Sequence, residues 1–137
     1  QTIRHRIVRK ETNMKAYYID PILKFVAQVD FEGDYKEIYK WIDATTFDVV
    51  NLNGYGDGMY VDDEGLLKQS NHFFEVPVWQ GEYSSRGGYV QRMYAGKALI
   101  LGVDSNGDSD DVKGLKFAFL QDRIKFLGEK DYSMMVL

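Results

Sequence analysis

The stretch DSNGDSDD, Asp104 to Asp111, is the most metal-like run of the chain. A calcium loop of the common twelve-residue kind takes oxygen ligands from positions 1, 3, 5, 7, 9 and 12, with glycine at position 6. Counted from Asp104, the first four ligand positions are Asp104, Asn106, Asp108 and Asp110, all oxygen donors. The second half of the pattern departs. Ser109 stands where the glycine belongs, and Leu115 replaces the bidentate carboxylate that closes the site. An apolar, strand-like run precedes the loop instead of a helix. The stretch therefore reads as a polar turn at Asn106-Gly107, with its four oxygen donors as weak cation candidates.

A second acidic group, Asp57 with Asp62, Asp63 and Glu64, has the composition for paired carboxylates, either on a hard metal or in acid–base work. Acid–base pairing needs one carboxyl with a pKa raised by burial, and Asp62-Asp63-Glu64-Gly65 also describes a turn leaving a strand. Ser84 and Ser85 lack the strand–turn–helix context of a nucleophile elbow. For His72 the sequence offers no recognisable catalytic motif, and His5 is far away in sequence. In NGYGDG the glycines at 54, 56 and 58 invite comparison with a phosphate loop. Such a loop must open a helix, whereas the residues that follow look like strand. A hairpin turn fits better. No catalytic set or cofactor emerges.

A third group is aromatic and basic. Trp79, Tyr83, Arg86, Tyr89, Arg92 and Tyr94 crowd an irregular stretch with little periodicity. Trp, Tyr and Arg are the residues enriched at binding hot spots, so these six are the candidate partner-binding residues.

Composition limits the alternatives. The 137 residues suit one domain, and the 45% apolar fraction supports a core. Without cysteine there is no disulfide framework, thiolate metal site or cysteine nucleophile. No apolar run approaches the roughly 20 residues that span a bilayer, and no secretory pattern is visible, so a cytoplasmic protein is expected. Residues 1–15 net +4 and the remainder nets −8. A basic arm on an acidic body makes nucleic-acid binding an unlikely use, since positive charge should then cover a folded face. Residues 1–13 read as an N-terminal extension before a single domain over residues 14–137.

Several elements must position these groups. Ala16–Ile19 and Phe25–Phe31 read as strands joined at Asp20-Pro21. Tyr35, Ile38, Tyr39 and Ile42 form a helical stripe, with Asp34 and Glu37 as a capping pair. Strands are expected at Phe47–Leu52, Met59–Val61 and Phe73–Trp79, the last at an edge or beside a bulge because of Pro77. AGKALILGVD has the composition of a central strand buried on two sides. Phe117, Leu120, Ile124 and Leu127 suggest a second helix stopped by Gly128. Final residues DYSMMVL read as a further strand or an apolar tail.

Two motifs carry a resemblance. Tyr60-Val61-Asp62-Asp63-Glu64-Gly65-Leu66-Leu67-Lys68 and Ala95-Gly96-Lys97-Ala98-Leu99-Ile100-Leu101-Gly102 resemble, in order and spacing, a small family of unknown function. This is the 3846 family, carried by bacteriophages, plasmids and some bacterial genomes. The resemblance runs from about Met14 to Leu127. It implies a small accessory protein of phage or mobile-element origin acting inside a host cell, and it supplies no catalytic residues. Within these motifs Gly65 is placed for a positive φ and Gly96 for close backbone approach. Lys97, at the mouth of the buried strand, is expected to pair with Asp62, Asp63 or Glu64, with anion binding as the other reading.

The expectation is thus one α+β domain: a mostly antiparallel sheet of five or six strands with two packed helices. Its expected role is non-enzymatic binding of a host or viral protein. The alternative is a small-molecule- or metal-dependent enzyme built on Asp62, Asp63, Glu64 and Lys97.

Overall fold

ALILGV has no polar face, and a strand of that composition is stable only where both its faces are covered. The computed structural model, which describes residues 13–65, 70–81 and 88–131, puts it there. In chain order the elements are β1 (Met14–Asp20), β2 (Phe25–Phe31), α1 (Tyr35–Ile42), β3 (Phe47–Asn51), β4 (Asp57–Asp62) and β5 (Ser70–Trp79). They continue with β6 (Tyr89–Ala95), β7 (Ala98–Val103), β8 (Ser109–Asp110), α2 (Phe117–Arg123) and β9 (Lys125–Asp131). A six-stranded sheet runs β2-β1-β7-β4-β3 with β8 beside β7, and a three-stranded sheet runs β6-β5-β9. Every pairing is antiparallel.

β7 is paired along both edges. β4 matches it from Asp57 opposite Gly102 to Val61 opposite Ala98. On its other edge β1 takes Ala98 to Ile100, and β8 takes Gly102 and Val103. The segment after β8 continues along the start of β1: the Lys15 N–H donates to the Asp111 carboxylate at 2.7 Å, and the Val112 N–H donates to the Lys15 carbonyl at 3.1 Å. A Cβ on Gly102 would lie 2.0 Å from the Asp111 carbonyl oxygen, so this crossing requires glycine.

The period-2 alternation of β1 and β7 divides their side chains between two cores. On one face Ala16, Phe31, Leu99 and Leu101 bury Ile38 and Ile42 of α1. On the other, Tyr17, Ile19, Met59, Val61, Ala98 and Ile100 pack on Phe74, Val76 and Val78 of β5 and on Leu120 of α2. The result is a three-layer α+β arrangement. The expected six-stranded sheet and two helices are present, and β5, β6 and β9 add a second sheet.

Four local expectations are corrected. The stretch from Trp79 to Tyr94 reads as irregular, yet Tyr89–Ala95 is a regular strand, β6, paired along β5. Pro77 suggested an edge strand or a bulge, yet β5 is the centre of its sheet, and Pro77 is tolerated because β9 pairs only as far as Glu75. The stripe through Leu127 predicted one helix to Gly128, but the helix ends at Arg123 and Ile124 is already extended. The residues beyond it form β9, which pairs with β5 from Lys125 to Asp131. LKFAFLQDRIKFL suits either state, and the open edge of β5 decides in favour of strand. The two motif glycines also exchange roles. It is Gly96 that takes a positive φ, 84°. A Cβ on Gly65 would come within 3.1 Å of the Ala95 carbonyl oxygen, so close approach is the demand there. The arm at residues 1–12, Leu66 and Leu67, and residues 132–137 lie outside the described residues.

At the β1–β2 turn the Asp20 carboxylate accepts the Ile22 and Leu23 N–H groups, both at 3.0 Å, and the Tyr18 hydroxyl at 3.2 Å. Burial, and then the Asp20 carboxylate, push the Tyr18 pKa up to about 12 from its ordinary 10.0. A hydroxyl whose pKa is raised by folding favours the fold while protonated. That contribution is complete below pH 10 and is lost as the pH rises through about 12.

Two outcomes follow from this packing. Leu99→Ala, in a strand buried on both faces, should cost about 3 kcal/mol in urea denaturation, whereas Leu23→Ala, 72% exposed, should stay within about 0.5 kcal/mol. Denaturation midpoints of the wild type should fall between pH 10 and 12, and Tyr18→Phe should fall less steeply over the same interval. Tyr17, Tyr60 and Tyr94, whose pKa values burial also raises, supply the residual slope.

Candidate functional site

NGYGDG connects β3 to β4 as a hairpin. The Asn53 side-chain oxygen accepts the Tyr55 N–H at 2.9 Å, and its Nδ2 donates to Asp57 at 3.0 Å. Asp57 is 1% exposed. Its carboxylate accepts the backbone N–H groups of Lys113, Gly114 and Leu115 at 2.6, 2.8 and 2.7 Å. Successive amides converging on one point form a nest suited to an anion. The chain fills this one with its own carboxylate. The Tyr55 ring packs over Gly114, and the Tyr17 hydroxyl donates to the Leu115 carbonyl at 2.8 Å.

This knot positions two other segments. The Leu52 N–H donates to the Asp57 carbonyl at 3.0 Å, and the Trp79 N–H donates to the Leu52 carbonyl at 2.9 Å, which anchors the end of β5. The pinned residues 113–115 lead directly into Lys116, the N-cap residue of α2. Trp79 and the start of α2 are therefore held by the same loop, and β6 brings Tyr89 between them.

An aromatic row results. Trp79 and Tyr89 lie edge to face with centroids 5.4 Å apart, and Tyr89 lies 5.7 Å from Phe119. The Arg123 guanidinium sits 4.9 Å above the Phe119 ring, a cation–π geometry. Trp79, Tyr89 and Val90 remain 38%, 44% and 40% exposed. Arg92 donates to the Gln80 side chain at 2.8 Å, and Gln91 donates to the Arg123 carbonyl at 3.1 Å, tying β6 to α2. Beside the row, Tyr89, Gly114, Leu115, Lys116 and Phe119 line a cavity of about 200 Å³.

Of the partner-binding candidates, Trp79 and Tyr89 form this row and touch, whereas Arg92, paired opposite Val76, points to the other face of β6 and meets Gln80. Tyr83 and Arg86 lie outside the described residues. Tyr94 is turned elsewhere: it packs half-buried on Phe74 at 6.0 Å, and burial raises its pKa. Sequence reading missed Phe119, Arg123 and Lys116, because the helical stripe drew attention to Phe117 and Leu120. The signal was there in the i, i+4 spacing of Phe119 and Arg123, off that stripe.

The second acidic group is divided along β7: Asp57 lies at the Gly102 end with the Asp104–Asp111 stretch, and Asp62, Asp63 and Glu64 lie at the Ala98 end. At the Ala98 end, Asp62 Oδ1 accepts the Glu64 N–H at 2.9 Å, Asp63 accepts the Thr46 hydroxyl, and Glu64 is exposed. Lys97 is half-buried, one residue before the Ala98–Val61 register pair, and no ion pair among the described residues joins it to that turn. Asp48, Asp62 and Asp63 line a cavity of about 230 Å³ together with Tyr94. At the other end, Asp104 Oδ1 accepts the Asn106 and Asp108 N–H groups, both at 2.9 Å, so that oxygen faces the backbone of its own turn. Asp110 pairs with Lys113 at 2.6 Å, and this bond holds its carboxyl below the usual range. Among the described residues no three His, Asp or Glu side chains are arranged to hold a metal ion. His72 lies 3.7 Å from Glu129 on the adjacent β9. Among the described residues no helix is long and apolar enough to cross a membrane.

Asp57→Asn would set an amide NH₂ against backbone donors whichever way it is turned. It should cost about 2–3 kcal/mol by denaturation. Amide exchange at Lys113 to Leu115 should quicken more than exchange in β1. Unchanged exchange there would show that the knot does not hold the segment.

In comparisons with known proteins, the family model described as Domain of unknown function (DUF3846) matches residues 14–124, from β1 to just past α2. No curated protein and no solved structure matches.

Proposed function

We propose, for a chain that belongs to the DUF3846 family of unknown function, that it is a non-enzymatic protein-binding module whose contact face is formed by β6 and α2. The observation that carries this reading is the row Trp79–Tyr89–Phe119, its first two rings exposed and Phe119 half-buried and capped by Arg123. Large aromatic side chains left in water, beside arginine and held by a rigid frame, have the composition of an interface core. The position of β6 supports the same reading, since among the described residues it is an edge strand with one row of backbone groups unpaired within its sheet. The partner is a host or viral protein, in keeping with the likeness to domains of mobile elements, and the setting is the host cytoplasm. The enzyme alternative has less support. No ion pair among the described residues joins Lys97 to the acidic turn, and Asp62 and Asp63 are engaged in local hydrogen bonds.

The test is capture of partners by tagged protein from a bacterial lysate, with Trp79→Ala/Tyr89→Ala compared against Val49→Ala on the distant β3 edge. The aromatic double variant should keep its melting temperature and lose capture by about tenfold or more, while Val49→Ala keeps it. Equal capture by all three proteins would overturn the assignment of this face.

A further inference from the structure

The chemistry of the partner can be read from the cavity beside the aromatic row. At about 200 Å³ it is smaller than the roughly 300–1,000 Å³ typical of small-molecule sites, so it suits one inserted side chain. Its walls are the Tyr89 and Phe119 rings and Leu115, which select an apolar group. Its rim is cationic. Lys116 lines it and forms no ion pair among the described residues. Arg123 stands over Phe119. The nearest carboxylate in sequence, Asp122, is within 3.3 Å of Arg123 and neutralises part of that charge. This remains a basic rim on a chain of net charge −4, and a local reversal of sign favours a partner of the opposite sign.

We infer, resting on the binding face proposed above, that the cavity takes a single apolar side chain from an acidic peptide segment of the partner, with flanking carboxylates on Lys116 and Arg123. Single-stranded nucleic acid also combines planar groups with negative charge. It is disfavoured because the rings of the row meet one another at 62° and 55°, not in parallel, and Arg123 covers a face of Phe119, a poor platform for successive stacked bases.

The experiment is an NMR titration of the whole chain with end-blocked peptides Glu-Glu-Leu-Glu-Glu, Glu-Glu-Ser-Glu-Glu and Lys-Lys-Leu-Lys-Lys, and with a single-stranded oligothymidylate. The acidic leucine peptide should shift the signals of Tyr89, Leu115, Lys116 and Phe119. Its affinity should fall about tenfold in Lys116→Glu, a surface change that leaves the core untouched. The serine and lysine peptides should shift these signals far less. Equal binding of the serine peptide would overturn the apolar anchor. Binding of the lysine peptide or the oligothymidylate in preference would overturn the charge assignment. If no peptide binds at millimolar concentration while lysate capture still depends on Trp79 and Tyr89, the inferred chemistry is wrong and the binding face stands. If that dependence is absent as well, both fall.

Discussion

The Asp57 carboxylate is the interaction on which the proposed face depends. A carboxylate removed from water is tolerated only when its oxygens are fully engaged, and this one accepts three backbone amides and the Asn53 side chain. The donors come from parts of the chain more than 50 residues apart. Satisfying them fixes the β3–β4 turn against the segment that opens α2. Because Leu52 in the same turn also receives the Trp79 N–H, the frame of the aromatic row is set by one buried anion. Phe119, Tyr89 and Trp79 can then stand partly in water without collapsing onto the core.

β7 provides the second constraint, and it acts through packing instead of charge. Its alternating side chains hold α1 on one side and the small sheet with α2 on the other. A close-packed strand of this kind transmits the position of each layer to the other. Its edge is completed by β8 only because the return of the acidic loop crosses at Gly102, where a side chain has no room. The DSNGDSDD stretch thus has a structural use: it turns the chain so that Asp111 and Val112 reach β1 and residues 113–115 reach Asp57.

The likeness to a known family and the geometry meet at these same places. The matched residues, 14–124, include Asp57, its three amide donors, Gly102, and the row from Trp79 to Arg123. They stop before β9, which supports β5 from its far edge.

What the sequence determined by itself were the properties set by near neighbours. Period-2 and period-3.6 patterns, Asp20-Pro21 and the Asp34 cap were enough for β1, β2, α1 and β7, and the moved glycine and missing closing carboxylate were enough to read the acidic stretch as a turn. Tertiary structure decided the rest, because it depends on which distant groups meet. Residues 124–128 suit a helix as well as a strand, and only the open edge of β5 selects β9. Asp57 looked like one carboxylate of an acidic group, and only the nest at residues 113–115 gives it a separate role. Tyr94 shares the composition of Tyr89, yet the pleat turns one onto Phe74 and leaves the other at the surface beside Phe119. Residue type sets what a side chain can do; burial and the donors around it, settled by contacts far apart in the chain, set what it does here.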